Sequence, residues 1–237
     1  MSFLILVRHG QSIWNLEKRF TGWVDVELTK KGETEAEKAG LLIKEKNIEI
    51  NFYYSSLQLR ANNTLKIIQK ILNDRKDFVK AWQLNERHYG ALTGLNKTEM
   101  GQKIGEEKVY ELRRSWEVKP EALDKKSPYH PINIKIYNDI PKDMIPDTES
   151  LKNTYERVTN YFEKEIKAKL NNKNVLISAH GNSIRALCKK LFDLDNTQIS
   201  NLEIPTGNPL IIEMNKNLKI VKCEYLDKKR AKNLLVF

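Results

Sequence analysis

The sequence predicts an α/β protein with a mainly parallel sheet, and three observations carry that expectation. Short apolar runs alternate with amphipathic helical stretches, the pattern of strands joined by crossover helices. Two of those runs end in the same local design, His-Gly-polar-Ser, at His9 and at His180. One region breaks the rhythm: five of the seven prolines (Pro120, Pro128, Pro131, Pro141, Pro146) fall between 120 and 146, which rejects regular elements there.

Taken in order, residues 3–7 form an apolar run of strand length. Thr29 is an N-cap for a helix carrying Ala36, Ala39 and Ile43 on one face. Residues 52–54 read as a second strand. Ser55 and Ser56 offer caps for a helix with Leu57, Ala61, Leu65, Ile68 and Leu72 on one face, and residues 78–84 are a third strand candidate. Roughly 95–147 is an excursion from the sheet, a helical piece with Arg113 and Arg114 followed by a long Pro-bearing loop, the kind of segment that often serves as a lid. Leu151, Tyr155, Val158 and Phe162 mark a further helix. Val175 to Ala179 is a strand, residues 184–192 the helix after it, and residues 210–212 and 220–221 closing strands.

Composition narrows the function classes. The 237 residues suffice for a substantial core, with 40% apolar and 30% charged residues. The longest stretch without Asp, Glu, Lys or Arg is 11 residues, too short for a transmembrane helix, and the first residues lack the basic leader of a secretory signal. Two cysteines, Cys188 and Cys223, make no disulfide framework and point to a reducing cytoplasm. The net charge of +10 raises a nucleic-acid reading. Against it, each half of the chain carries +5, and the one basic block is residues 228–232, read as solvated surface. Arg numbers only ten against 31 Lys, so the positions of the Arg residues are informative.

The chemistry gathers where strands end. In an open α/β sheet the ligand site lies beyond the carboxyl ends of the strands, so His9 and His180 are expected at one sheet edge. The glycine after each permits close backbone approach, and the helix after His180 turns its N-terminus toward an anion. There is no His-x-His or Cys-x-x-Cys pair and no third ligand, so a metal is not expected; His88 and His130 have no partner motif. Arg60, in the first turn of its helix, suits phosphate binding, and Glu86 at a strand end is a candidate proton carrier.

These residues have a family likeness. Arg8-His9-Gly10 with Ser12 and Asn15 resembles the phosphohistidine motif of the histidine phosphatase superfamily. Within it the chain is similar to the 2,3-bisphosphoglycerate-dependent phosphoglycerate mutases, on residues 20–29, residues 84–97, Arg113-Arg114, Thr148-Glu149-Ser150-Leu151, residues 179–183 and Ile204-Pro205-Thr206-Gly207. The stretch 86–97 and the Arg pair are the more specific signals. The resemblance implies a three-layer fold, a mixed and mainly parallel sheet flanked by helices, in one domain over 1–237 with a helical and Pro-rich cap at about 95–147. It implies a cytoplasmic isomerase of glycolysis and gluconeogenesis that interconverts 3- and 2-phosphoglycerate, primed by 2,3-bisphosphoglycerate and without a metal; the alternative is a phosphatase using the same histidine.

It also implies roles. His9 is the nucleophile, Glu86 the general acid/base, and His180 stabilises the phosphoryl group. Arg8, Asn15, Arg60, Gly181 and Asn182 hold that phosphate. Thr21, Gly22, Tyr89, Lys97, Arg113 and Arg114 hold the rest of the ligand, with Ser12, Arg87 and His88 also assigned to substrate binding. Partners are small phosphoglycerates, with neither nucleic acid nor membrane, and a homo-oligomer (dimer or tetramer) is compatible with the family. Gln11, Leu59 and Thr93 stand where such proteins carry Glu, Lys and Gln. The chain ends in a short tail at Phe237, where relatives carry a longer one that helps close the site.

Overall fold

A computed structural model describes residues 1–231. Among the described residues six strands form one mixed sheet in the order β3-β2-β4-β1-β5-β6: β1 (Ser2–Arg8), β2 (Phe52–Ser55), β3 (Phe78–Lys80), β4 (Val175–Ala179), β5 (Leu210–Met214) and β6 (Ile220–Tyr225). β1, β2, β3 and β4 run parallel; β5 is antiparallel to β1, and β6 to β5. Both faces of the central strands are covered. Leu4, Leu6, Val175 and Ile177 pack on one side with Val158, Phe162, Ile184 and Leu187. Ile5, Val7 and Leu176 pack on the other with Ala39, Ile43, Leu65 and Ile68. Continuous burial along β1 and β4 is why both read as unbroken apolar runs.

The helices are α1 (Ile13–Leu16), α2 (Lys30–Glu45), α3 (Leu59–Leu72), α4 (Lys97–Ile104), α5 (Glu106–Arg114), α6 (Leu151–Tyr161), α7 (Gly181–Phe192) and α8 (Asn196–Asn201). Thr29 caps α2 as expected, its side chain accepting from Gly32 N. Several boundaries move, for identifiable reasons. The serines do not cap α3: Ser56 Oγ is engaged with Gln58 N and His180, and the helix starts at Leu59, whose N–H donates to Asp25 Oδ1 at 2.7 Å. Leu57 thus lies before the helix and packs beside Trp23. β3 stops at Lys80 rather than 84; a 3-10 turn over Trp82–Leu84 then swings the chain toward Glu86. α7 begins at Gly181, three residues earlier than the apolar pattern indicates, because its first turn is buried and polar.

Residues 97–147 hold α4 and α5, then isolated 3-10 turns at Pro131–Asn133, Lys135–Tyr137 and Lys142–Met144. Tyr137, Ile140 and Ile145 close over Trp23 in a separate small core. Cys188 is buried and Cys223 half-buried, both as free thiols. Among the described residues no helix is long and apolar enough to cross a membrane. The tail residues 232–237 lie outside the described residues.

Candidate active site

β1 and β4 are adjacent and parallel, with Arg8 paired to Ala179. The residues that follow therefore leave the sheet side by side, and the two imidazoles meet edge to face with ring centroids 5.0 Å apart. The turn after His9 needs glycine: a Cβ on Gly10 would sit 2.1 Å from the carbonyl oxygen of Gly32, a clash no rotamer relieves.

His9 is 2% exposed. Its Nδ1 lies 2.7 Å from the Gly10 carbonyl oxygen. That oxygen only accepts, so Nδ1 carries the proton and Nε2 holds the lone pair. Burial first, then the Arg60 and Arg8 guanidinium groups, hold its pKa well below the ordinary value. His180 is likewise depressed by burial, then by Arg60, His9 and Arg8. Ser56 Oγ lies 2.8 Å from its Nε2. Two neutral imidazoles thus face each other inside a ring of cations.

The pocket is lined by Arg8, His9, Asn15, Thr21, Arg60, Glu86, Tyr89, Lys97 and Arg113. Its cavity is about 70 Å³, small beside the roughly 300–1,000 Å³ of drug-sized sites, so it selects a compact ligand. Arg60 is buried, its Nη1 and Nη2 donating to the carbonyls of Val24 and Gly22 at 2.9 Å. Gly22 thus serves through its carbonyl. Arg8 Nη1 donates to Ile204 O at 2.7 Å. Ser12 caps α1 and is bonded reciprocally with Asn15, which leaves Asn15 its amide Nδ2 to offer. Lys97 is brought down to about 8, by burial first and then by Arg113 and Arg8.

Glu86 is held from three sides. Its N–H donates to Gln58 Oε1, its Oε1 accepts from Arg87 N and Asn182 N, and its carbonyl accepts from Trp23 Nε1 and Arg157. A Cβ built on Gly181 would lie 3.8 Å from Glu86 Oε2 and 3.6 Å from the Arg8 guanidinium, so α7 brings its first backbone turn against both groups. Asn182 Nδ2 donates to the Tyr89 hydroxyl at 2.9 Å.

Three expected ligand residues face elsewhere. Arg87 spends its guanidinium on the carbonyls of Glu149, Arg113 and Val118. His88 is fully buried, its N–H donating to Glu149 Oε2 and its Nδ1 accepting from Gly90 N. Arg114 bonds the carbonyls of Ser200 and Leu202 and pairs with Glu203. They brace the site rather than line it. Conversely, Ser56, Gln58, Trp23, Arg157 and Arg185 contribute to the site and were not singled out from the sequence. Ser56 reaches His180, Gln58 reaches Gly22 and Glu86, and Trp23 and Arg157 reach Glu86, all distant in sequence, which leaves no local pattern; Arg185 bonds Asn182 on its own helix and the distant Leu202.

A small phosphorylated acid fits this arrangement. Arg8 Nε and Thr21 Oγ1 are buried without a hydrogen-bond partner among the described residues, and buried polar atoms of that kind call for a ligand or water. Four cationic side chains, Arg8, Arg60, Lys97 and Arg113, converge on the same cavity. No cluster of metal-type ligands occurs among the described residues.

Comparison with known proteins shows the family to which the chain belongs. The chain matches the histidine phosphatase superfamily (branch 1) over residues 4–224. It is 65% identical over 238 residues to a 2,3-bisphosphoglycerate-dependent phosphoglycerate mutase of Pelagibacter ubique (strain HTCC1062), covering 100% of both chains. The chain belongs to this mutase family of the histidine phosphatase superfamily. A second phosphoglycerate mutase of that description, from Borreliella burgdorferi (strain ZS7), is 49% identical over 94% of this chain and 91% of its own. Among solved structures the mutase fold recurs in an Entamoeba histolytica phosphoserine phosphatase (TM-score 0.66, 20% identity, 96% of this chain and 98% of that one). It recurs also in a mycobacterial glucosyl-3-phosphoglycerate phosphatase (TM-score 0.67, 20% identity, covering 94% and 96%). At that identity the likeness is one of fold.

Proposed function

We propose that this protein interconverts 3-phosphoglycerate and 2-phosphoglycerate, in glycolysis and gluconeogenesis, through a phosphohistidine on His9. The observation that carries the reading is His9 itself: a buried imidazole on the wall of the pocket, with Nδ1 tied to Gly10 O and its protonated form disfavoured by burial and by the nearby Arg60 and Arg8. The 2,3-bisphosphoglycerate primer, when bound, supplies the phosphoryl group that first loads His9. Arg8, Asn15, Arg60, His180 and the N-terminus of α7 hold that group, while Thr21, Tyr89, Lys97 and Arg113 hold the remaining carboxylate or phosphate. The work of such a site is positioning and cationic stabilisation of charge spread over the phosphoryl oxygens. Each charge-assisted hydrogen bond contributes about 1.5–3 kcal/mol.

Transfer moves one phosphoryl group between Nε2 and a substrate hydroxyl. As the P–N bond breaks and the P–O bond forms, the hydroxyl proton passes to Glu86. On return from the other hydroxyl position, Glu86 gives the proton back to the leaving oxygen and Nε2 recovers the phosphoryl group. Splitting the transfer this way needs a protein nucleophile that stays unprotonated, which the cationic and buried surroundings of His9 provide. The 95–147 segment acts as a cap carrying Lys97 and Arg113, and the protein works in the cytoplasm on small phosphoglycerates, apart from nucleic acid or membrane. In an assay with 3-phosphoglycerate and catalytic 2,3-bisphosphoglycerate, 2-phosphoglycerate accumulates without matching phosphate release. Stoichiometric phosphate release without isomerisation would replace this reading with a phosphatase.

A further inference from the structure

Residues 85–89, which follow the 3-10 turn at Trp82–Leu84 and carry Glu86, belong to no regular element. Their backbone groups therefore need partners from elsewhere, and two charged side chains supply them. Arg157, on α6, donates through Nη1 to the carbonyls of Gln83 and Asn85 at 2.8 and 3.0 Å, and through Nη2 to that of Glu86 at 2.9 Å. Its Nε and Nη2 also reach Glu149 Oε1 and Oε2 at 2.6 and 2.8 Å. All five N–H donors of the guanidinium are thereby used. Glu149 Oε2 in turn accepts from His88 N at 2.8 Å, and the Glu149 N–H donates to His88 O at 3.0 Å. The pair thus grips the chain on both sides of Glu86. The Arg157 and Glu149 side chains are 10% and 4% exposed, and neither lines the pocket.

We propose that the Glu149–Arg157 pair is a clamp that sets Glu86 for proton transfer, both members being positioning residues for that step rather than for ligand binding. The proposal rests on the reading of Glu86 as the general acid/base. Glu86 O accepts from Arg157 and from Trp23 Nε1, and Glu86 N donates to Gln58 Oε1. Both polar groups of its main chain are therefore held. A buried ion pair adds little stability over apolar packing of the same volume. What this one adds is register. A guanidinium is a planar fork of fixed donors, and it meets three carbonyls and Glu149 together only while residues 83–86 keep their present course. Burial alone would raise the Glu149 carboxyl, but Arg157 and the His88 N–H hold it below the ordinary carboxylate range, so the pair stays charged. Proton transfer is sensitive to such placing, because the acid/base must sit within hydrogen-bond reach of the oxygen it serves.

The test is steady-state isomerisation of 3-phosphoglycerate by the purified full chain with catalytic 2,3-bisphosphoglycerate. The calorimetric Kd of 3-phosphoglycerate and the melting temperature are recorded for each variant. Arg157→Lys keeps the charge and loses the fork, so kcat falls about 100-fold, the cost of a misplacement of ~1 Å, while Kd stays within about twofold. Glu149→Gln, of nearly the same size, puts a donor where an acceptor stood and lowers kcat about tenfold, a barrier increase of about 1.4 kcal/mol. In a Glu86→Gln background neither substitution lowers kcat further, because the group they place no longer carries a proton. Glu149→Gln keeps the test decisive if Arg157→Lys does not fold. Wild-type kcat in both variants overturns the clamp, as does a weakened Kd in place of a lowered kcat. So does full additivity with Glu86→Gln, which would make the pair a brace of the fold alone. A wild-type protein that does not isomerise 3-phosphoglycerate would instead remove the functional reading, and the clamp with it.

Discussion

His9 owes its reactivity to what its neighbours forbid. Burial and the cations Arg60 and Arg8 disfavour imidazolium, so Nε2 stays a lone-pair nitrogen at physiological pH. No acid limb attributable to His9 should appear in kcat between pH 8 and pH 6, although an ordinary histidine titrates there. Lys97 sets the other side. With its proton held only to about pH 8, kcat/KM should fall above that pH, and Lys97→Arg should move the fall upward; a profile unchanged by the substitution would remove Lys97 from ligand binding. Glu86→Gln keeps the size and loses the ionisable carboxyl group, so kcat should drop about 10²–10⁴-fold, the usual range for losing a general acid/base. Normal turnover in that variant would reassign proton transfer.

At the scale of elements, the site depends on close backbone approach. Gly10 and Gly32 bring the turn after β1 against the first turn of α2, and a Cβ on Gly32 would lie 2.1 Å from the Gln11 carbonyl oxygen. Gly10→Ala or Gly32→Ala should destabilise by about 3 kcal/mol, at the upper end of overpacking costs, as read by urea unfolding. A loss under half that would mean the two segments separate easily. The elements that sequence reading locates best are those whose burial is complete and simple: β1 and β4, buried along their length, announce themselves as apolar runs. Those it misplaces are where long-range polar contacts decide. The start of α3 is set by Asp25 from another loop, and Ser56 is drawn to His180. Likewise Arg87, His88 and Arg114 sit inside recognisable motifs, yet their side chains brace the backbone, a distinction a motif does not record.

Across the whole molecule, three buried imidazoles share one electrostatic character. His9, His180 and His88 are all held neutral, each chiefly by burial, with His88 brought to about 4. The unfolded chain takes up protons on them below about pH 6.5 while the folded chain does not. Their contribution to stability is present above that pH and is lost as pH falls. The slope is about 1.4 kcal/mol per pH unit for each imidazole in the window where only the unfolded form is protonated. Denaturant midpoints at pH 7.5 and pH 5.5 check this; a midpoint that rises on acidification contradicts it. The surplus of ten positive charges also takes a clearer form at this scale. Arg8, Arg60, Lys97 and Arg113 surround one pocket. Arg230, in the terminal basic run, bonds Asp227 and the carbonyls of Thr206 and Gly207, and the Gly207 N–H in turn donates to Arg8 O. The pocket's arginines stood out because Arg is scarce, and Lys97 only through the family resemblance; the structural use of Arg230 was not legible, since a charge run reads alike whether solvated or bonded. The most direct measurement is rapid-quench labelling with 2,3-bisphosphoglycerate carrying radioactive phosphoryl groups. Wild type should give an acid-labile phosphoenzyme and His9→Ala none, whereas label retained by His9→Ala, or absent from wild type, would contradict a phosphohistidine at His9.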